Sequence, residues 1–275
     1  LDDVAGQCHR DAVVDLDEIG SLGVYGMSGA GVSGALAALA LGASVGRDPA
    51  TIRVDVIEMG RASLEWMEGF PQVGSVVVGA DVERVGRLIH GLDRELDERS
   101  RAQRGPRRVL VLDGMAAFLD RFDRVEGGHL LRVIERVAGE GRALGLHLFV
   151  GAVRPGVLGP TLLGVLGGSM SLRSATSEGW FACGAVGPPP DRECGPGAGE
   201  WRGLRLQVGD ARSGAEAVAE AERERWAGRH AKPVPSLPTV VSRASLRPTR
   251  GLDGIPIGVR LDTLDHVSLD LRAAN

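Results

Sequence analysis

Lysine is almost absent from this chain of 275 residues, because Lys232 is the only lysine among its 32 basic residues. Aromatic residues are also scarce, at 4%. Three cysteines (Cys8, Cys183 and Cys194) are too few for a disulfide framework and lack the spacing of a zinc site, which favours a reduced compartment. No apolar run reaches the roughly 20 residues of a membrane-spanning helix. These absences exclude a disulfide scaffold and a membrane span within the chain.

The remaining composition is that of a globular protein. Hydrophobic residues make up 43% of the chain and charged residues 25%, which is enough for one large domain or two small ones. The net charge is −4, and an acidic balance argues against a nucleic-acid binder, which usually presents a basic face.

Predicted strands and helices alternate along most of the chain. Apolar runs and helical periodicity predict strands at 12–16, 21–25, 52–58, 76–78, 108–112, 146–153, 169–173 and 203–208, and helices at 33–45, 81–103, 127–144 and 214–228. Asp81 is the predicted N-cap of the second helix. This order predicts an α/β domain with a mainly parallel sheet and right-handed crossovers, in which ligands bind beyond the carboxyl ends of the strands.

The composition and periodicity of the sequence change after residue 230. Four prolines without helical period predict a semi-rigid linker over 231–254. Apolar and polar residues alternate again over 255–275, which predicts the first strands of a following, truncated module. Residues 1–230 are therefore predicted to form one domain.

A glycine-rich stretch, GMSGAGVS at 26–33, stands between a predicted strand and a predicted helix. Its spacing follows the phosphate-binding loop G-x-x-x-x-G-K-[ST], with Gly26, Gly31 and Ser33 in place but Val32 where the lysine belongs. Asp113 ends the apolar run RVLVL, as does the acid that holds Mg²⁺ in phosphate-loop enzymes, but Gly114 stands where a hydrolase carries its base.

Each of these features also has an ordinary interpretation. The loop alone is equally compatible with a glycine turn that binds nothing, and acids such as Asp113 and Glu58 often end strands. His129 and His147 have no acid–nucleophile pattern around them and are interpreted as surface or core residues, and Cys183 and Cys194 as bystanders. The combination of loop and acidic strand end favours phosphate-loop ancestry.

The order of several motifs resembles the FtsK/SpoIIIE-type ATPase domains, most closely the tandem modules of EccC/EssC-like type VII secretion proteins. The motifs are VDLDEIGSLGVYGMSGAGVS, VDVIEMGRASLEWMEGFPQVGSVV, RLIHGLDRELDERSRAQ, RRVLVLDGMAAF, GEGRALGLHLFVGAVRPG, RGLRLQVG and PSLPTVVSRASL. The resemblance spans roughly 12–271, and the helix–strand ending in VRPG is its most specific part.

The resemblance implies a RecA-like phosphate-loop fold and a nucleotide site at Gly26, Met27, Ser28, Gly29, Ala30, Gly31, Val32 and Ser33. It implies ATP as ligand with Mg²⁺ on Ser33 and Asp113, and Asp113 and Arg154 as remnants of catalysis. It further implies neighbouring ATPase modules of the same polypeptide and helical signals of secreted substrates as partners, a homo-hexameric parent, and a cytoplasmic domain of a membrane-associated protein.

The departures from the family pattern are all at positions where the family carries its catalytic residues. Val32 replaces the lysine, Gly114 replaces an acid or amide, and Val153 replaces the polar residue before Arg154 and Pro155. We therefore expect a degenerate module that binds nucleotide weakly, hydrolyses it slowly or not at all, and acts by nucleotide sensing or by docking. The alternatives are an active motor subunit with a cation from a neighbouring domain, a DNA translocase module, and a spacer with an empty loop.

Overall fold

A computed structural model describes residues 2–3, 8–9, 11–60, 63–102, 105–191, 193–238, 240–246, 254–260 and 265–270. Its strands are β1 (Asp2–Asp3), β2 (Cys8–His9), β3 (Leu22–Tyr25), β4 (Ile52–Glu58), β5 (Val73–Val78), β6 (Arg107–Asp113), β7 (Leu146–Ala152), β8 (Gly168–Leu172), β9 (Ala198–Trp201), β10 (Leu204–Gln207), β11 (Gly254–Val259) and β12 (His266–Asp270). Its α-helices are α1 (Leu16–Ile19), α2 (Val32–Ser44), α3 (Val82–Ala102), α4 (Met115–Phe122), α5 (His129–Leu144), α6 (Gly159–Val165), α7 (Ser177–Ala182) and α8 (Ala215–Arg225).

Ten strands form one sheet in the order β2-β1-β10-β9-β8-β3-β7-β6-β4-β5. The six strands from β8 to β5 are parallel, and the four at the other edge pair antiparallel. The expected α/β class with a mainly parallel sheet is therefore confirmed. Strands β3, β7 and β6 are adjacent in the sheet, so residues that follow their carboxyl ends lie at one edge.

Alternating side chains of the central strands fill two apolar layers, one on each face of the sheet. Val109 and Val111 of β6 pack in the layer that contains α2, whereas Leu110 and Leu112 pack in the layer that contains α3, α4 and α5. Successive side chains of a strand point to opposite faces, so a continuous apolar run such as RVLVL suits a strand covered on both sides.

The strand predicted at 12–16 is wrong. Residues 11–15 have no regular structure, and Asp15 instead caps α1 by accepting hydrogen bonds from the N–H groups of Asp17 (2.8 Å) and Glu18 (3.4 Å). A short side chain that bonds its own backbone competes with strand pairing, which explains the difference. The predicted cap at Asp81 is confirmed, because its carboxylate accepts from the N–H of Arg84 at 3.0 Å.

The other predicted strands and helices are present with bounds shifted by a few residues, and the run at 76–78 is part of the longer β5. Elements without a prediction are the short helices α1, α4, α6 and α7 and the strands β1, β2 and β9. Strands β11 and β12 form a separate antiparallel pair. The division of the chain at 230 and 254 stays a prediction.

No helix in the part of the chain that the structure describes combines the length and apolarity needed to cross a membrane.

Candidate nucleotide-binding site

The glycine loop lies between β3 and α2, as the sequence predicts. Gly29 and Gly31 have φ values of +79° and +95°, in the left-handed region that side chains disfavour. A Cβ at Gly26 would lie 3.0 Å from the Cβ atoms of Ala30 and Leu172. The glycines are therefore required by the turn itself, which folds back tightly on the strand ends.

Three backbone hydrogen bonds fix the loop to neighbouring strands. The N–H of Gly26 donates to the carbonyl of Ala152 at the end of β7, and the N–H of Met27 donates to the carbonyl of Arg173 just after β8. The carbonyl of Ala30 accepts from the N–H of Gly197 at 2.8 Å. The loop is thus anchored to the ends of β7 and β8 and to the segment before β9.

Several loop N–H groups are left for a ligand. In the described part of the chain, no hydrogen bond is donated by the backbone N–H groups of Ser28, Gly29, Gly31, Val32, Ser33 and Gly34. The first N–H groups of a helix have no partner within it, and they carry the positive end of the helix dipole. The start of α2 therefore offers the donors that an anion such as phosphate needs.

Ser33 and Asp113 meet beside this loop. The Ser33 hydroxyl donates to the Asp113 carboxylate at 2.5 Å, although the two residues are 80 positions apart. Asp113 is the last residue of β6 and is paired in register with Gly151 of the neighbouring β7. A hydroxyl and a carboxylate are hard oxygen ligands of the kind that Mg²⁺ takes, so these residues fit a magnesium ion bound with a nucleotide.

Burial raises the pKa of the Asp113 carboxyl, and the nearby negative charge of Glu58 raises it further. The hydrogen bond from Ser33 acts in the opposite direction by stabilising the charged form. No arginine or lysine among the described residues forms an ion pair with Asp113. The carboxylate thus lies in a partly desolvated position without a compensating cation.

Val32 occupies the floor of the site. A Cβ built at Gly151 would lie 2.9 Å from Cγ1 of Val32 and 3.1 Å from Oδ1 of Asp113, so both side chains adjoin the same glycine. Val32 is partly buried and packs against the apolar layer around α2. The position where phosphate loops carry lysine is therefore filled by an aliphatic side chain next to Asp113.

Gly114 follows Asp113 with φ +96°, and a Cβ there would lie 3.1 Å from the Cβ of Met59. A glutamate at this position would need both a left-handed backbone and displacement of Met59. The backbone at Gly114 thus favours glycine, and substitution by an acid would strain that backbone.

The segment after β7 completes this edge of the sheet. Val153 is 59% exposed, Arg154 is exposed, and Pro155 is buried. Arg154 follows the strand next to β3 and is therefore on the same edge as the loop. No contact joins its guanidinium to Asp113 in the described structure, so the two predicted remnants of catalysis lie at one edge without touching.

Glu58 has a structural role that its place at a strand end suggests. Its carboxylate is 1% exposed and accepts from the N–H and hydroxyl of Ser63, both at 2.7 Å, and from the N–H of Leu64 at 3.1 Å. These bonds hold Ser63 and Leu64 at the carboxyl end of β4. His147 is buried with Nδ1 3.0 Å from the carbonyl of Gly20, as expected for a core residue, and burial lowers its pKa.

The sequence does not reveal the segment that covers the loop. A Cβ at Gly31 would lie 2.7 Å from the N of Gly197 and 3.2 Å from Pro196, so this segment lies directly on the loop. The guanidinium of Arg173 donates to the carbonyl of Cys194 and helps to hold it there. The glycine-rich stretch GPGAG at 195–199 is the only signal of this close approach in the sequence.

The beginning of the predicted linker lies along the outer strand β5. Val234 donates its N–H to the Ser75 hydroxyl at 2.7 Å, and its carbonyl accepts from Arg84 Nε at 3.0 Å. Arg87 Nε donates to the carbonyl of Pro235 at 3.0 Å. The backbone of 231–235 is thus held by side chains of β5 and α3, and Lys232 lies beside Gly74 at the start of β5, away from the loop edge.

These features define the class of the molecule. A parallel α/β sheet carries a glycine loop before a helix and an acid at a second strand end, which is the arrangement of a phosphate-loop ATPase fold. No protein-family model matches the chain.

Comparison with known proteins agrees with the resemblance found in the sequence. Over 177 residues the chain is 26% identical to the ESX-4 secretion system protein EccC4 of Mycobacterium tuberculosis. This match covers 57% of the chain and 14% of EccC4. ATPases 2 and 3 of EssC from Geobacillus thermodenitrificans match with a TM-score of 0.81 at 19% identity, over 99% of the chain and 58% of theirs.

Thermomonospora curvata EccC (ATPases 2 and 3), solved in complex with a signal sequence peptide, matches with a TM-score of 0.76 at 22% identity. That match covers 94% of the chain and 52% of the solved one. The chain is thus an EccC/EssC-like module in its fold, and it spans only 14% of the curated relative and between about a third and three fifths of the solved structures.

Proposed function

We propose that this chain is a weakly hydrolysing or non-hydrolysing ATPase module of a type VII secretion motor, which senses nucleotide and docks other modules or secretion signals. The similarity to EccC4 and to the EccC and EssC ATPase modules supports the class. The proposal of degeneracy depends on one observation: Ser33 and Asp113 keep the magnesium-type pair, while Val32 fills the lysine position beside it.

The residues present would bind Mg·ATP through their oxygen ligands and loop amides. The free N–H groups at the start of α2 would contact phosphate oxygens, and Ser33 and Asp113 would hold the ion. Magnesium, when bound, neutralises charge on the phosphates. Binding would also place a cation beside the Asp113 carboxylate, which burial otherwise disfavours in its charged form.

Hydrolysis would lack two of its usual contributors. Removing one preorganised donor at a developing charge typically costs about 3 kcal/mol, a factor of roughly 10² or more in rate. Absence of a positioned base costs a further factor of roughly 10² to 10⁴. Although such losses do not add, either one alone would reduce turnover far below that of a motor.

Docking of chain segments has a local example in this fold. The 231–235 backbone is bound along β5 by Ser75, Arg84 and Arg87, and Ala231 and Val234 are buried there. We infer that 231–254 links this module to a following one that begins near 255. Neighbouring modules of one polypeptide, secretion signals, assembly of the parent into a hexamer and a cytoplasmic position at a membrane all belong to this proposal.

Titration with a fluorescent ATP analogue, with and without Mg²⁺, tests the binding part of the proposal. We expect weak binding that Mg²⁺ strengthens, and loss of the Mg²⁺ effect in Ser33→Ala. Ser213→Ala is the matched control, because Ser213 is an exposed serine outside the glycine loop. If the unsubstituted chain binds no nucleotide, the interpretation as a spacer with an empty loop is favoured instead. Equal effects of both substitutions would contradict the assignment of Ser33 as a magnesium ligand.

A second candidate function is an active motor subunit completed by a neighbour's arginine. An open cleft of about 600 Å³, lined in part by Met59, Gly79 and Ala117, lies at the same edge of the sheet and could admit such a side chain. Turnover that appears only when neighbouring modules are added would favour this candidate. The DNA translocase alternative stays a prediction, and salt-dependent binding to duplex DNA is its test.

A further inference from the structure

Two histidines and a glutamate converge on the outer side of α3 and α5, away from the glycine loop. His90 lies on α3, Glu126 lies in the 3₁₀ turn Val125–Gly128, and His129 is the first residue of α5. One ligand atom from each residue lies within 4.8 Å of the other two. No motif in the sequence indicates this cluster, because the second half of α3, β6 and α4 separate His90 from the other two residues.

The two imidazole rings lie against each other. Their centroids are 5.4 Å apart with an interplanar angle of 24°, and His90 Nε2 lies 3.1 Å from the Glu126 carboxylate. Neutral imidazole is the form that binds metal ions. The arrangement therefore brings ring nitrogens and a carboxylate oxygen close together.

The turn that presents Glu126 has an unusual backbone. Glu126 has φ +52°, one of two such non-glycine residues in the described structure, and Gly127 follows with φ +62°. A left-handed conformation costs a non-glycine residue roughly 1 kcal/mol, and surrounding contacts must maintain it. Here the turn directs the Glu126 side chain to His90, and Arg132 fixes the next residue by donating to the carbonyl of Gly127 at 2.7 Å.

A further carboxylate lies behind His129. Asp93 Oδ2 is 3.4 Å from His129 Nε2, and Asp93 is also bound by Arg136. Carboxylates commonly orient histidine ligands in metal sites. Arg136 is itself paired with Asp97 and Glu140, so its charge is already compensated by acidic groups.

We propose that His90, Glu126 and His129 form a binding site for a divalent transition-metal ion, with Zn²⁺ as the best fit. Two histidine nitrogens and one carboxylate oxygen are a ligand set that Zn²⁺ accepts, and water completes a tetrahedron. The three side chains are 25%, 46% and 34% exposed, so the ion can reach them from solvent and small rotations can bring them to bonding distance. Bound metal joins α3 to the start of α5 and fixes the turn between them.

Isothermal titration of the metal-free chain with Zn²⁺ tests this site. We expect a single strong site per chain, a rise in melting temperature with Zn²⁺ by mass action, and no comparable effect of Mg²⁺. Co²⁺ in place of Zn²⁺ should give the visible absorption of a low-coordinate site with nitrogen and oxygen ligands.

The variants separate this site from other histidines and thiols. His129→Ala and Glu126→Gln should each weaken Zn²⁺ binding by roughly tenfold or more, an effect at least as large as loss of an outer partner. His230→Ala, at an exposed histidine outside the cluster, and Cys194→Ser should leave it unchanged. Melting of each variant without metal shows that it folds.

Three results would overturn the proposal. They are absence of Zn²⁺ binding by a folded parent chain, binding that His129→Ala and Glu126→Gln leave intact, and binding lost in the His230 or Cys194 variant instead.

Discussion

Replacing Val32 by lysine restores the cation that phosphate-binding loops carry at this position. The substitution tests the inference that position 32 faces the phosphates of a bound nucleotide. Val32 adjoins Gly151 together with Asp113, so a lysine stem starting there begins beside the carboxylate and can direct its ammonium group to the phosphate position. Burial now raises the pKa of the Asp113 carboxyl, and the ammonium would lower it. The charged carboxylate, which is the form that binds Mg²⁺, would then be favoured.

The size of the gain follows from two opposing contributions. A charge-assisted hydrogen bond contributes about 1.5–3 kcal/mol. Immobilising a lysine side chain costs about 1 kcal/mol. The net gain of about 0.5–2 kcal/mol corresponds to a roughly twofold to thirtyfold lower Kd for Mg·ATP. Loss of apolar contact at the partly buried Val32 should lower the free energy of unfolding by about 1 kcal/mol.

Fluorescence titration with an ATP analogue measures the first effect and urea unfolding the second. Val32→Met is the matched control, because methionine has a similar length without a charge, and it should leave the Kd unchanged. Hydrolysis should rise little, since Gly114 and Val153 are unaltered. A folded Val32→Lys chain whose Kd equals that of Val32→Met would refute the inference that this position faces bound phosphate.

Three further substitutions test the site and its surroundings. Asp113→Asn should raise the melting temperature at neutral pH, and this advantage should shrink as the pH falls through the raised folded pKa and be gone near pH 4, because below the unfolded pKa of about 4 the carboxyl is protonated in both states. Melting curves between pH 4 and 8 measure this, and a variant less stable at pH 7 would contradict it. Glu58→Ala should lower the free energy of unfolding in urea by roughly 3 kcal/mol, because the donors of Ser63 and Leu64 lose a buried carboxylate. Arg87→Ala should cost about 1 kcal/mol and speed proteolysis within 231–235, and unchanged cleavage there would mean that Arg87 does not hold this segment.

Much of the fold could be predicted because its central strands are buried on both faces. Apolar runs such as those of β4, β6 and β7 are determined by burial in the middle of the sheet, and their order follows from the right-handed crossover. The error at 12–16 arose at a short apolar run in which the Asp15 side chain accepts a hydrogen bond from the backbone of the next turn instead. Strand β9 was missed because its sequence, AGEW, carries little apolar signal and pairs at the antiparallel side.

The candidate site was predictable only in part. Ser33 and Asp113 could be placed together because both follow strands whose carboxyl ends meet at one edge of the sheet. The cover over Gly31, the bound 231–235 segment and the His90 cluster depend on approaches between distant parts of the chain, for which a single sequence has no periodic signal. The backbone that excludes a side chain at Gly114 likewise becomes visible only with Met59 in place.

Steady-state ATP turnover by the chain, compared with its Ser33→Ala variant, tests the central claim most directly. The account predicts turnover of about 10⁻¹ per second or less, since typical enzymes turn over about ten times per second and the missing donor or the missing base alone removes a factor of roughly 10² or more. Ser33→Ala should then have no resolvable effect on the rate. Turnover of about one per second or faster that Ser33→Ala abolishes would contradict the account, because the loop would then be a working catalytic site despite Val32.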